Sequence, residues 1–176
     1  TFQTNVQNGR PIVRFDGVED TMSIADTANL TWQAPWSVFV VAKTDSVAAG
    51  APRIISKTDS AGAGRDADDM VFTTYTILDY TTTGVSWDST NFFTMGYLFD
   101  DSDIDVDFRT DGSADETVAG TTNSNTGTAA TTIGERGNST LFWDGDIGEI
   151  LVYARMLTAD DITNVERYLR TRWATW

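Results

Sequence analysis

The run Phe142-Trp-Asp-Gly-Asp-Ile-Gly-Glu-Ile-Leu-Val-Tyr153 lies near the end of the chain, and Leu157-Thr-Ala-Asp-Asp161 follows it closely. The first part joins a tight acidic turn to the β-branched and aromatic residues that buried strands favour, so it predicts a strand. In the second part Thr158 can cap a helix, and Asp161 stands in the capping-box position three residues later. We therefore expect a helix from about Ala159 which, with the strand before it, closes a β-sandwich.

The residues of this helix have an amphipathic pattern. Apolar side chains recur at steps of three and four: Ile162, Val165, Leu169 and Trp173. Arginines cluster toward the helix end, where cations suit the dipole: Arg167, Arg170 and Arg172. We expect the apolar stripe to pack onto the sandwich and the arginines to face water.

Short alternating or β-branched runs recur through the rest of the chain, separated by Gly, Asp, Asn and Ser. The predicted strands are 12–15, 22–24, 37–42, 53–56, 70–78, 92–99, 104–108, 131–133 and 141–153. Many short strands with one helix at the end predict an all-β fold, an antiparallel sandwich or jelly roll with a C-terminal α-helix. With 176 residues the chain has the size of a single domain, residues 1–176.

Composition excludes several classes of function. There is no cysteine and no histidine, so disulfides, thiolate metal sites and Ser-His-Asp chemistry are excluded. The net charge of −14 argues against nucleic acid or anionic lipid as a partner, because both require a basic surface. The longest apolar runs are too short to cross a bilayer, so we expect no membrane insertion.

Four fragments in this order resemble a known superfamily: Phe15-Asp-Gly-Val-Glu-Asp20, Ser37-Val-Phe-Val-Val-Ala42, Arg53-Ile-Ile-Ser-Lys57 and Gly145-Asp-Ile-Gly-Glu-Ile-Leu-Val-Tyr153. Together they resemble the concanavalin A-like, laminin G-like jelly roll. The resemblance implies two packed antiparallel sheets, a concave face, a middle hairpin over 92–112 that turns at Asp111-Gly112, and in some members a calcium ion at the rim. Its members include lectins, adhesion modules, glycanases and virion proteins. The abrupt start of the chain suggests that it is a piece of a larger protein.

Calcium is the cofactor that the sequence suggests, because hard cations bind clustered carboxylates at loop tips. Asp144 and Asp146 flank a glycine in the closing turn, while Asp16, Glu19 and Asp20 follow the opening strand. A third cluster, Asp66, Asp68 and Asp69, lies in a glycine-rich stretch that we expect to be a surface loop. The alternative for each cluster is ordinary turn chemistry, in which the carboxylate accepts backbone hydrogen bonds.

Aromatic residues are the main candidates for ligand contact, since their faces can stack on sugar rings. Trp32 and Trp36 in a proline-interrupted loop and Trp87 near a turn are the candidates outside the closing unit. Tyr97 and Arg109 are candidates to line the concave sheet. The alternative for the aromatic residues is core packing.

Catalytic signals are weak. The superfamily's glycanases carry a Glu-x-Asp-x-Glu strand that is absent here, and the nearest imitation, Asp103-Ile-Asp-Val-Asp107, fits a solvated strand face better. The missing carboxylate pair does not argue against a lyase that uses tyrosine and arginine. The candidate catalytic residues of such a lyase are Tyr75, Tyr80, Tyr97 and Arg109.

The sequence therefore favours a noncatalytic recognition module of an extracellular or virion-associated protein, which binds glycans or another cell-surface ligand. The alternative is a structural virion component, such as a decoration, fibre, spike or tail element, that binds neighbouring protein chains. A polysaccharide-degrading enzyme comes third.

Overall fold

The computed structural model describes residues 1–30, 35–46, 52–57, 61–66, 69–74, 79–82, 90–100, 105–119, 128–136 and 141–176. Within these ranges the chain forms two antiparallel β-sheets and one C-terminal α-helix. The predicted all-β sandwich with a terminal helix is confirmed.

The larger sheet has seven strands in the order β1-β2-β13-β4-β9-β10-β11 within the described part of the chain. Their bounds are β1 Phe2–Gln7, β2 Arg10–Asp16, β4 Trp36–Thr44, β9 Phe93–Phe99, β10 Asp105–Thr110, β11 Ser113–Ala119 and β13 Asp144–Tyr153. The predicted closing strand β13 lies near the centre of the sheet, between β2 and β4.

The smaller sheet has six strands in the order β3-β12-β5-β6-β7-β8, again counted over the described residues. Their bounds are β3 Met22–Ile24, β5 Arg53–Lys57, β6 Ala61–Asp66, β7 Asp69–Thr74, β8 Asp79–Thr81 and β12 Thr131–Ile133. A short 3₁₀ turn at Ala28–Leu30 precedes β4. At one edge of the sandwich β8 contacts β11, so β3 and β1 are the edge strands at the other.

Strand β4 shows why the large sheet has an apolar layer on each face. Alternate side chains along a strand point to opposite faces. Trp36, Val38, Val40 and Ala42 belong to the core between the sheets, whereas Phe39 and Val41 belong to a second core under the helix. An unbroken apolar run is therefore what this strand requires, because both of its faces are buried.

The helix α1 spans Ala159–Trp173 and covers the outer face of the large sheet. The predicted cap is confirmed: the Thr158 side chain accepts a hydrogen bond from the Asp161 backbone, and the Asp161 side chain accepts one from the Thr158 backbone. Leu169 and Trp173 are buried against the sheet, as the apolar stripe predicted. None of the described helices is both long and apolar enough to cross a bilayer.

Several boundaries differ from the sequence prediction. Strands β1, β6, β8 and β11 were not expected. Strands β1 and β11 are edge strands with mostly polar, exposed residues and so lack the apolar alternation that marks a strand. Strand β6 lies in the glycine-rich stretch that was expected to be a surface loop. The predicted run 70–78 extends beyond β7, which ends at Thr74. Asp111-Gly112 is a turn, but it joins β10 to β11 rather than closing a hairpin over 92–112.

Candidate functional site

The carboxylates predicted to hold calcium lie around the start of β13 and the end of β2. Asp16 and Asp144 are cross-strand neighbours. One oxygen of Asp16, Oδ1, accepts backbone hydrogen bonds from Val18 (2.9 Å), Glu19 (3.2 Å) and Asp20 (3.3 Å). These bonds hold the pKa of the Asp16 carboxyl below its ordinary value. Asp16 therefore stabilises this turn by accepting backbone hydrogen bonds, which is the turn chemistry given above as the alternative to calcium binding.

Asp146 is already neutralised by a cation. Its two oxygens accept hydrogen bonds from Arg14 Nε (2.7 Å) and a terminal nitrogen of Arg14 (2.8 Å), and its side chain is 1% exposed. This bidentate pair raises the pKa of Arg14. The assignment of Asp146 as a calcium ligand is therefore corrected to an ion-pair partner that joins β13 to β2.

The remaining predicted calcium ligands include Asp20 and the cluster of Asp66, Asp68 and Asp69. Asp20 is half-buried and its Oδ2 lies 3.8 Å from the amino group of Thr1. Asp68 lies outside the described residues. Among the residues that the structure does describe, no group of three carboxylates lies close enough together to hold an ion. Calcium binding stays a prediction.

Two predicted ligand-contact residues are core residues. Trp36 is 2% exposed and packs on Phe99 with ring centroids 5.8 Å apart. Tyr97 is fully buried, meets Phe108 edge to face at 5.7 Å, and burial raises the pKa of its hydroxyl. Both lie on central strands and face the second sheet, so neither ring is open to a ligand and both assignments are corrected. Trp32 and Trp87 lie outside the described residues.

Arg109 lies on the opposite face of the large sheet, under α1. Its guanidinium makes a bidentate ion pair with Glu166, at 2.6 Å from Nε to Oε1 and 3.2 Å from the terminal nitrogen to Oε2. Gly96 on the neighbouring strand leaves room for this arginine, because a Cβ there would lie 3.2 Å from the Arg109 Cβ. The helix covers the sheet face on which Arg109 was expected to contact a ligand. Arg109 instead joins the sheet to the helix through its ion pair with Glu166, so its assignment as a ligand contact is corrected.

The structure instead forms a basic groove that the sequence did not reveal. Six residues line a groove of about 480 Å³ between the start of β2 and the outer stripe of α1: Arg10, Asn164, Arg167, Tyr168, Thr171 and Arg172. We call it the arginine groove. The five helical residues recur at three- and four-residue steps, so they share one face of the helix. None of the six is acidic.

The floor of the arginine groove is held by Glu149 of β13. Its Oε1 accepts a hydrogen bond from the Tyr168 hydroxyl (2.8 Å), and its Oε2 accepts one from Trp173 Nε1 (2.6 Å). Arg172 Nε lies 2.9 Å from the same Oε2, and its guanidinium lies 5.9 Å from the Tyr168 ring centroid. The bond to Glu149 raises the pKa of the Tyr168 hydroxyl. Tyr168 and Arg172 are thus fixed in place from below.

The other two arginines retain free donors. Arg167 donates to Asn164 Oδ1 at 2.6 Å, and its remaining nitrogens have no partner among the described residues. Arg10 is exposed and, across the part of the chain that the structure describes, has neither a hydrogen-bond acceptor nor a carboxylate partner. The groove therefore presents two guanidinium groups that have no carboxylate partner within the described ranges.

The β1–β2 hairpin places Arg10 against the helix. Its turn is Asn8-Gly9, with both residues in the left-handed region that such tight hairpins require. Gln7 Nε2 donates to the Trp173 carbonyl (2.7 Å), and Asn8 Nδ2 donates to the Arg172 carbonyl (2.9 Å). These bonds satisfy carbonyls at the helix C-terminus, which have no partner within the helix. The Asn-Gly pair is the sequence signal that could have indicated this hairpin.

Comparison with known proteins supports the fold. No protein-family model and no curated protein matches the sequence. Among solved structures, domain 4 of AbnA, a GH43 extracellular arabinanase from Geobacillus stearothermophilus solved with arabinotriose, has a TM-score of 0.73 at 14% identity, over 94% of this chain and 81% of that one.

Two further structures are similar. The binding domain of Paraclostridial Mosquitocidal Protein 1 has a TM-score of 0.72 at 10% identity, over 95% of this chain and 45% of its own. The CBM40 domain of the Ruminococcus gnavus IT-sialidase has a TM-score of 0.63 at 13% identity, over 84% and 97%. At these identities the likeness concerns the fold alone, because one fold supports many functions.

Proposed function

We propose that this chain is a noncatalytic recognition module that binds glycans or another cell-surface ligand. The observation that carries the proposal is the arginine groove, in which Arg10 and Arg167, without a carboxylate partner among the described residues, lie beside the exposed Tyr168 ring. Ligand sites combine apolar surface with a few polar groups in this way. The similar solved structures include a domain in complex with arabinotriose and the binding domain of a mosquitocidal protein, which supports the same class of function.

The proposal includes two finer points from the sequence. The sandwich belongs with the concanavalin A-like, laminin G-like domains, which the four ordered fragments support. Its setting is extracellular or virion-associated, which is in keeping with the extracellular arabinanase among the similar structures. Catalysis is left out because the chain has no histidine and lacks the Glu-x-Asp-x-Glu strand of the glycanases.

A glycan array tests this proposal directly. The chain is applied in buffer with calcium and, in parallel, with a chelator. Retention of a defined set of glycans supports recognition, and retention only with calcium also supports the predicted metal. If no glycan is retained in either condition, the result contradicts glycan recognition. Calorimetric titration of chelator-stripped protein with calcium is the independent check of the metal, since binding should release or absorb heat.

A second candidate is a structural role in which neighbouring protein chains cover one edge of the sandwich. The edge strands β1 and β3 lie at the same edge, and it carries exposed apolar side chains: Phe2 (68%), Val6 (40%), Val18 (69%), Met22 (48%) and Ile24 (40%). Unpaired edge strands with apolar residues are sites where another chain can add. This surface supports contact with a protein neighbour.

Size-exclusion chromatography with light scattering separates the two candidates. A stable symmetric oligomer without affinity for any glycan favours the structural role. A monomer that binds sugar favours recognition. The double variant Phe2→Ser with Val18→Ser should dissociate an oligomer that forms through this edge. An oligomer that persists in this variant uses another surface.

A further inference from the structure

The charge in the arginine groove is opposite in sign to that of the molecule. The chain has 12 basic and 26 acidic residues, yet three arginines line the groove without a carboxylate among the lining residues. The acid beneath the groove, Glu149, already accepts hydrogen bonds from Tyr168 and Trp173 and pairs with Arg172, which leaves Arg10 and Arg167 to supply the groove's positive charge. The groove is therefore a local positive site on an acidic protein, and it favours an anionic group.

The helix dipole accounts for only part of this cluster. Cations near a helix C-terminus are favourable in any protein, which is reason enough for Arg167 and Arg172. Arg170 has the same dipole but lies outside the groove, where it donates to the Trp176 carbonyl. Arg10 comes from β2 rather than from the helix, and no described residue is paired with it. Its convergence with the helical arginines requires another explanation.

The donors and the ring define the chemistry of the ligand. A guanidinium presents a planar fork that matches a carboxylate or a sulfate in a bidentate manner. Tyr168 is 45% exposed, and an aromatic face can pack against the apolar face of a sugar ring. The groove volume of about 480 Å³ lies in the range of small-ligand sites.

The overall charge excludes large polyanions as the ligand. A nucleic acid or an anionic membrane would bring many negative charges close to a protein of net charge −14, and three arginines do not offset that repulsion. A small ligand with one acidic group is affected mainly by the positive charge of the arginine groove and little by the net charge of the protein.

We propose that the arginine groove binds an anionic saccharide, whose carboxylate or sulfate is held by Arg10 and Arg167 while its ring packs on Tyr168. This inference rests on the proposed recognition of glycans and names the ligand class at that site.

The test is titration of the isotopically labelled chain, followed by amide NMR, with three matched probes: galacturonate, sulfated galactose and galactose. We expect the two anionic probes to shift the signals of residues 164–172 and galactose to bind more weakly by about tenfold or more, the equivalent of one charge-assisted contact. The two anionic arms show whether carboxylate or sulfate is preferred. Affinity for either should fall as salt is added.

A variant and a control with the same change of charge decide the site. Arg10→Gln with Arg167→Gln should weaken anionic binding by about tenfold or more, because both forks are lost. Arg136→Gln with Arg170→Gln removes the same charge outside the groove and should leave affinity within about twofold. Amide spectra of both proteins show directly that they remain folded.

Three results would overturn the inference: equal binding of galactose and the anionic probes, equal weakening by the two double variants, or shifts confined to residues outside 164–172 and Arg10. If glycan-array binding persists with any of these results, recognition stands and only the ligand class is wrong. If no glycan on the array is retained and none of the three probes shifts any amide signal, the proposed function is wrong as well.

Discussion

The ion pair between Arg109 and Glu166 is the strongest test of how the helix is held. Glu166→Gln leaves the guanidinium under α1 without a carboxylate, in a site where the side chains are 19% and 10% exposed. Removing one partner of a fully buried pair costs about 3–5 kcal/mol, and partial exposure lowers this cost to about 2–3 kcal/mol here. At about 2–4 °C per kcal/mol for a chain of this size, the melting temperature should fall by about 4–12 °C.

The assay is thermal unfolding by circular dichroism on wild type, Glu166→Gln, the single variants Arg109→Met and Glu166→Met, and the double variant that combines the last two. The double variant should recover most of the loss, because it removes both charges and retains apolar volume. Lys43→Gln is the matched control, since Lys43 and Asp45 form a more exposed pair (21% and 38%) worth about 1 kcal/mol or less.

Two results would refute this reasoning. A Glu166→Gln melting temperature within about 1 °C of wild type would show that the pair does not hold the helix. Strictly additive losses in the double variant would show that the two side chains act independently. An intact fold in Arg109→Met that loses glycan binding would restore the role expected from the sequence.

Three further predictions concern the helix and its packing. Gly148→Ala should cost about 1–3 kcal/mol in urea unfolding, because its Cβ would lie 2.8 Å from two atoms of the Trp173 ring; an unchanged midpoint would contradict that packing. Thr158→Ala removes the N-cap and should lower stability by about 1 kcal/mol, measured in the same way. Hydrogen bonds, first from Arg155, hold the pKa of Asp161 below its ordinary value. Its stabilising contribution is therefore complete above about pH 4 and is lost as the pH falls through the lowered pKa, so the melting temperatures of wild type and Asp161→Asn should converge in acid.

Local patterns predicted the elements of the closing unit well. The capping residues Thr158 and Asp161 and the β-branched run of β13 act within a few residues of themselves, so their structure is set by near neighbours. The alternation of apolar with charged residues in β10 is a signal of the same kind: Val106 and Phe108 face the core. Such signals are readable because backbone geometry fixes the spacing.

The predictions of ligand-contact residues were wrong where they required knowing which face of a sheet another element covers. The sequence could place Tyr97 and Arg109 on strands, but it did not show that the second sheet buries one and the helix the other. Asp146 was expected in a turn, but it lies in β13, and its partner Arg14 is 132 residues away. Burial and charge pairing at this distance depend on strand order.

By itself the sequence determined the class of fold, the position and cap of the helix, and the apolar strands, because these follow from periodicity and from contacts between near neighbours. Only the tertiary structure decided which rings are buried, which aspartate is neutralised and where the positive charges meet. Arg10 and Arg167 stand 157 positions apart in the chain (167 − 10), and they share a groove because the Asn8-Gly9 hairpin and the helix end are held together by hydrogen bonds from Gln7 and Asn8. A contact of that range is a property of the fold, since no local pattern records which distant element will lie beside it.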